Sequence, residues 1–113
     1  RRLAAANGMQ VLVSAMRCNF GNQVVQEHCI SLLNCLVCLD RESRDAFADV
    51  EGVDAVLSTM KLHMDHEGVL LKCALILRYL LGYKPFRDRI IRIGGAEALA
   101  EALCSTLRSG LGD

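Results

Sequence analysis

Residues 23–39 read QVVQEHCISLLNCLVCL, and the reading of this stretch decides the fold. It contains no Gly or Pro, and its apolar residues recur at helical spacing. Val25, Cys29, Leu32, Leu36 and Leu39 form one row, and Ile30, Leu33 and Val37 form the row beside it. Only a narrow strip through Glu27, Ser31 and Asn34 is polar. A helix apolar over so much of its circumference is buried on most sides. In a chain of 113 residues, the elements able to bury it are neighbouring copies of itself.

Those copies are present. A shift of about 44 positions carries Gly8 onto Gly52, Met16 onto Met60, Val25 onto Val69, Cys29 onto Cys73, Leu33 onto Leu77 and Leu36 onto Leu80. A further shift of about 43 carries Gly52 onto Gly95 and Arg44-Asp45 onto Arg87-Asp88, with Leu3, Phe47 and Ile90 in one register. The repeat divides the chain into units at about 1–39, 40–82 and 83–113 within one domain.

Each unit reads as three helices. In the second, a short helix over 42–50 is capped by Asp40. A sharp turn at Glu51-Gly52 follows, where Gly suits a left-handed helix end. A second helix covers 53–62, and a polar loop over 63–68 leads to a long third helix over 69–81. The first unit has helices over 1–7, 9–18 and 23–39. The last has helices over 86–93, with Pro85 at the start, and over 96–107.

Composition removes several function classes. Thirteen basic and thirteen acidic residues cancel, so no net field draws the chain to nucleic acid or an anionic membrane. Trp is absent, and three Phe and two Tyr leave few platforms for stacking bases. No uncharged apolar run approaches the roughly 18 residues of a membrane span, and no signal peptide is evident. The six cysteines lie largely within apolar helical runs. That placement predicts reduced, buried thiols in an intracellular protein rather than the bridges of a secreted scaffold.

With these landmarks in place the chain resembles the armadillo-repeat family. The resemblance rests on two segments and the period, and covers nearly the whole chain. One segment runs from Arg44-Asp45 through Val50-Glu51-Gly52-Val53-Asp54-Ala55-Val56-Leu57, echoed by Arg92-Ile93-Gly94-Gly95-Ala96-Glu97-Ala98-Leu99. The other is the leucine-rich third helix, Leu32-Leu33-Asn34-Cys35-Leu36 and Ile76-Leu77-Arg78-Tyr79-Leu80. HEAT repeats are the nearest alternative, but their two-helix units lack the Gly turn after a short first helix. The resemblance implies an all-α, right-handed superhelix of about two and a half units, with third helices lining a concave groove that binds protein. It also implies a non-enzymatic scaffold or adaptor. Peptide-binding members carry a Trp and, four residues on, an Asn in the third helix. The matching positions here are Ser31 and Cys35, then Leu75 and Tyr79, so neither unit keeps the pair. This departure argues against importin-like or catenin-like capture of an extended peptide.

The residues with chemical potential carry plain readings. Cys35-Leu36-Val37-Cys38 lies near a helix end, where the dipole disfavours a thiolate, and no second C-x-x-C supplies zinc ligands. His63, Asp65 and His66 sit in one loop, where a helix cap explains Asp65 as well as a metal does. His28 reads as a solvated or neighbour-bonded side chain. Lys84, Arg87, Arg89 and Arg92 crowd one short helix as a solvated face. The candidate partner-binding groove is therefore Glu27, Ser31, Asn34 and Cys35 beside Leu71, Leu75, Arg78 and Tyr79. No cofactor, metal, nucleic acid or membrane is expected. The expected partner is a protein, with self-association through apolar ends of the stack. The expected location is intracellular, cytoplasmic foremost, with nucleus or cilium as alternatives. The rival reading is a regulatory or oligomerisation segment of a larger enzyme.

Overall fold

A computed structural model describes the backbone of residues 2–112 and the side chains of residues 7–105 and 107. The described residues form helices joined by short turns, with no strand among them: α1 Arg2–Cys18, α2 Gln23–Leu39, α3 Arg41–Asp49, α4 Gly52–Leu62, α5 Glu67–Leu80, α6 Lys84–Arg92 and α7 Gly95–Gly112. The assembly measures 48 × 29 × 21 Å. Helices α2 and α5 pack side by side, α4 lies against α5, and α7 borders both α4 and α5.

Helix ends follow from local chemistry. Asn22 opens α2 by accepting the backbone N–H groups of Val24 and Val25 at 3.1 and 3.2 Å. Asp40, in extended conformation, ends α2 and caps α3 through the Ser43 N–H at 2.7 Å. The cap of α5 is His66, whose Nδ1 accepts the Val69 N–H at 3.2 Å. Asp65, the residue expected there, is exposed one position earlier.

The turn between α3 and α4 differs from the glycine expectation in an instructive way. The left-handed residue is Glu51, at φ 55°, and its counterpart one repeat on is Gly94, at φ 82°. Gly52 and Gly95 serve a different purpose. A Cβ at Gly52 would come within 2.7 Å of Phe47 Cζ and closer still to two other ring atoms. A Cβ at Gly95 would lie 2.5 Å from Ile90 Cγ2 and 2.8 Å from the Ile90 carbonyl. Glycine is thus required where a bulky residue five positions earlier folds onto the next helix. The strain of a left-handed Glu, roughly 1–2 kcal/mol, is offset by Arg17, which donates to the Val50 and Glu51 carbonyls at 3.0 and 3.2 Å.

At the third copy of this glycine the expected break is absent. Gly8 lies inside α1, which runs unbroken from Arg2 to Cys18, and none of the described side chains would approach a Cβ there within 4 Å. The backbone continues helically there at the cost of one interior glycine, about 1 kcal/mol.

The core runs through Met9, Val13, Met16, Ile30, Leu33, Val37, Phe47, Val56, Met60, Ile76, Leu77, Leu80 and Ile90. Each fully buried Leu, Ile or Phe contributes about 1.5–3 kcal/mol. Phe47 and Phe86 meet at 6.2 Å between ring centroids. Of the two rows on α2, Ile30, Leu33 and Val37 are buried as expected, whereas Leu32 and Leu39 are exposed. One α2 flank is therefore open, although Ile76, the repeat counterpart of Leu32, is fully buried.

A buried polar pin crosses the first junction. Gln26 is inaccessible to solvent, and its Nε2 donates to the carbonyls of Met16 at 3.0 Å and Asn19 at 2.9 Å. Its Oε1 accepts from Thr59 Oγ1 at 2.8 Å. Outside the core, pairs of side-chain to carbonyl bonds recur along the chain. Arg44 donates to the Val37 carbonyl at 3.0 Å, and Arg87, one repeat later, donates to the Leu81 carbonyl at 3.5 Å. His63 Nε2 donates to the Phe20 carbonyl at 2.6 Å, and Ser105 donates to the corresponding Met64 carbonyl at 3.3 Å.

Candidate functional site: the apolar cleft between α5 and α7

The eight groove residues fall into separate environments. Glu27, Ser31 and Asn34 are half-buried along one strip of α2. The Glu27 carboxylate lies directly over Gly68 at the start of α5, so this strip faces the neighbouring helix. Cys35 is exposed. Tyr79 belongs to a polar cluster: its hydroxyl shares a 3.0 Å hydrogen bond with Tyr83 and accepts from Arg44 at 3.3 Å. The Arg44 guanidinium lies 4.6 Å over the Tyr83 ring. The bond to Tyr83, then burial, push the Tyr79 hydroxyl pKa above its ordinary value. Tyr79 thereby ties α5 to α3 and the start of α6.

Leu71, Leu75 and Arg78 are brought together on the open side of α5. With Ala74, Leu81, Leu99 and Leu103 they line a cleft of about 420 Å³ between α5 and α7. Its walls are aliphatic, and Arg78 is the only charged residue among the described residues that line it. Leu71 and Leu75 are 49% and 45% exposed, and Leu103 on the facing wall is 61% exposed. Sequence reasoning missed the α7 wall. The usable signal was Leu103, whose repeat counterparts Met16 and Met60 are both completely buried.

The other candidates are accounted for by local bonds. His63 bonds the Phe20 carbonyl and His66 caps α5. Among the described residues no three His, Cys, Asp or Glu side chains come together to hold a metal. Within the basic run, Lys84 pairs with Asp88 at 3.0 Å, Arg87 reaches Leu81, and Arg89 grips Asp54 through two bonds at 2.7 and 3.2 Å. The Asp54 carboxylate raises the Arg89 pKa. Cys35 and Cys38 are exposed, and Cys38 Sγ points to Asn34 Oδ1 at 3.8 Å. Burial pushes the Cys73 thiol up to about 12 and raises Cys29 as well. No described helix is long and apolar enough to cross a membrane. Comparison of the chain with protein-family models, with curated proteins and with solved structures finds no match.

Proposed function

We propose that this chain is a non-catalytic protein-interaction module, a short right-handed armadillo-type solenoid that engages a partner protein beside its third helices. The observation that carries this reading is the aliphatic surface of Leu71, Leu75 and Leu103 with Arg78 among its lining residues. Large apolar side chains gathered on an open face, beside an arginine able to pair, are the composition of a binding surface. The solenoid reading is supported by the repeat counterparts: left-handed Glu51 and Gly94, packed Gly52 and Gly95, and the paired bonds of Arg44 and Arg87. A reducing compartment, the cytoplasm foremost, suits the free and partly exposed cysteines.

The test is a comparison of captured proteins. Immobilised wild-type chain and a Leu75→Glu/Arg78→Glu variant are exposed to the same cell extract, and retained proteins are quantified by mass spectrometry. Both substituted side chains are exposed, so the variant keeps its far-UV circular dichroism. The expected result is a set of proteins held by the wild type and lost with the variant. Identical sets would reject the reading.

A further inference from the structure

We propose that the open face of α5 and α7 pairs with the same face of a second copy of this chain, the two α5 helices running antiparallel about a two-fold axis. The pairing uses the face assigned above to a partner protein and rests on that reading, adding which partner fits. Its ground is the charge pattern along α5. Glu67, Leu71, Ala74 and Arg78 follow one another at spacings of four, three and four residues, which sets them in a single row along the helix. Leu71, Ala74 and Arg78 line the cleft, with Leu75 beside them. Glu67 stands exposed at the head of the row. The row therefore opens with a carboxylate, closes with a guanidinium and is apolar between. Neither charge has an ion-pair partner among the described residues.

Such a row is complementary to itself run backwards. Glu67 and Arg78 lie about 16 Å apart along the helix axis. With a two-fold axis midway between them, Glu67 of each copy meets Arg78 of the other, and Leu71 of each meets Ala74 of the other, large against small. A parallel arrangement would instead set glutamate on glutamate and arginine on arginine. The dipole of α5 accounts for a carboxylate in its first turn and an arginine in its last, but not for both standing on the leucine row. The corresponding row of α2, Gln23, Glu27, Ile30 and Asn34, ends in uncharged residues. The opposed charges thus belong to α5 and are not carried over from the repeat. Shape suits the pairing as well. Helices α5 and α7 pack together with the cleft of about 420 Å³ between them, so α5 of each copy can rest over the cleft of the other. Leu103, 61% exposed on the far wall, is covered in the process. Each copy supplies one ridge and one cleft, and the contact closes at two chains.

Sedimentation velocity of the intact chain over a concentration series reads the pairing, and a wild-type dimer is expected. Glu67→Arg alone, or Arg78→Glu alone, places two like-charge contacts in the interface and should weaken dimerisation at least tenfold. Mixed one to one, these two variants should pair with each other about as tightly as wild type, because every charge then faces its opposite. The double variant Glu67→Arg/Arg78→Glu should regain dimerisation for the same reason. Leu71→Glu should abolish the dimer, and Leu32→Glu, on the open flank of α2, should leave it unchanged. All four positions are exposed, so the variants keep their far-UV circular dichroism. A wild type that stays monomeric at millimolar concentration, a dimer indifferent to the single charge reversals, or single variants that fail to pair on mixing would overturn the inference. So would a dimer that Leu32→Glu dissociates, because the contact would then lie on α2. A monomer together with a positive capture comparison would remove the second copy and leave the interaction module standing.

Discussion

The Gln26 pin gives the sharpest stability prediction. Gln26→Leu removes three hydrogen bonds and leaves the Thr59 hydroxyl and the Met16 carbonyl facing an apolar side chain. At a net value of about 1 kcal/mol per bond, and more for a group left unpaired inside the core, the expected loss is about 2–4 kcal/mol. Thr59→Val loses one bond and strands Gln26 Oε1, for about 1–2 kcal/mol. The double variant should cost about 1 kcal/mol less than the sum, because valine has no hydroxyl to strand. A domain of this size holds roughly 6–17 kcal/mol in total, so all three variants stay folded and measurable. Urea unfolding followed at 222 nm, with a common slope across the set, reads the differences. A cost below about 1 kcal/mol for Gln26→Leu, or strict additivity of the pair, would refute the claim that this side chain holds α1, α2 and α4 together.

Glycine substitutions should split by position. Gly8→Ala is expected to raise stability by about 0.5–1 kcal/mol, since its Cβ meets open space within a helix. Gly52→Ala should cost about 1–3 kcal/mol through collision with Phe47, and thermal melts of the two side by side check both signs. A thiol reagent at neutral pH should modify Cys18, Cys35, Cys38 and Cys104 quickly, and Cys29 and Cys73 only as fast as the protein opens. Because Cys73 titrates near 12 when folded against 9.0 as the ordinary thiol value, the folded state holds its proton longer. Stability from this group is intact below pH 9 and declines as pH rises toward 12. Denaturant midpoints measured from pH 8 to 11 should fall, and a Cys73→Ala variant should fall less steeply.

Much of the architecture was legible because apolar periodicity and the repeat point the same way. Helix α2 has the expected bounds, and α3 to α6 fall within two residues of theirs at each end, since their caps and apolar rows are local signals. What escaped depends on packing that local periodicity does not reveal. Gly8 and Gly52 look alike in sequence, and only the structure shows Phe47 leaning on Gly52 while α1 runs straight through Gly8. Gln26 is polar like Gln23 and Glu27 beside it, which are exposed and half-buried, and only the Thr59 hydroxyl of α4 reveals it as fully buried. The expected groove treated eight third-helix residues as one surface. Helix α5 covers the strip through Glu27, and α7 supplies the second wall beside Leu75 through Leu99 and Leu103, a helix the groove did not include.

The bend between the first two helices of a unit also bears on how kin of this chain are to be sought. Glutamate in one copy and glycine in another adopt the same handedness, so the identity of the bending residue carries little information about descent. What persists is a spacing: Phe47 with Gly52, Ile90 with Gly95, and Leu3 with Gly8 where the rod is straight. A profile that weights this bulky-then-bare pair, and leaves the position between them free, would follow the unit into sequences where the hinge glycine has drifted away.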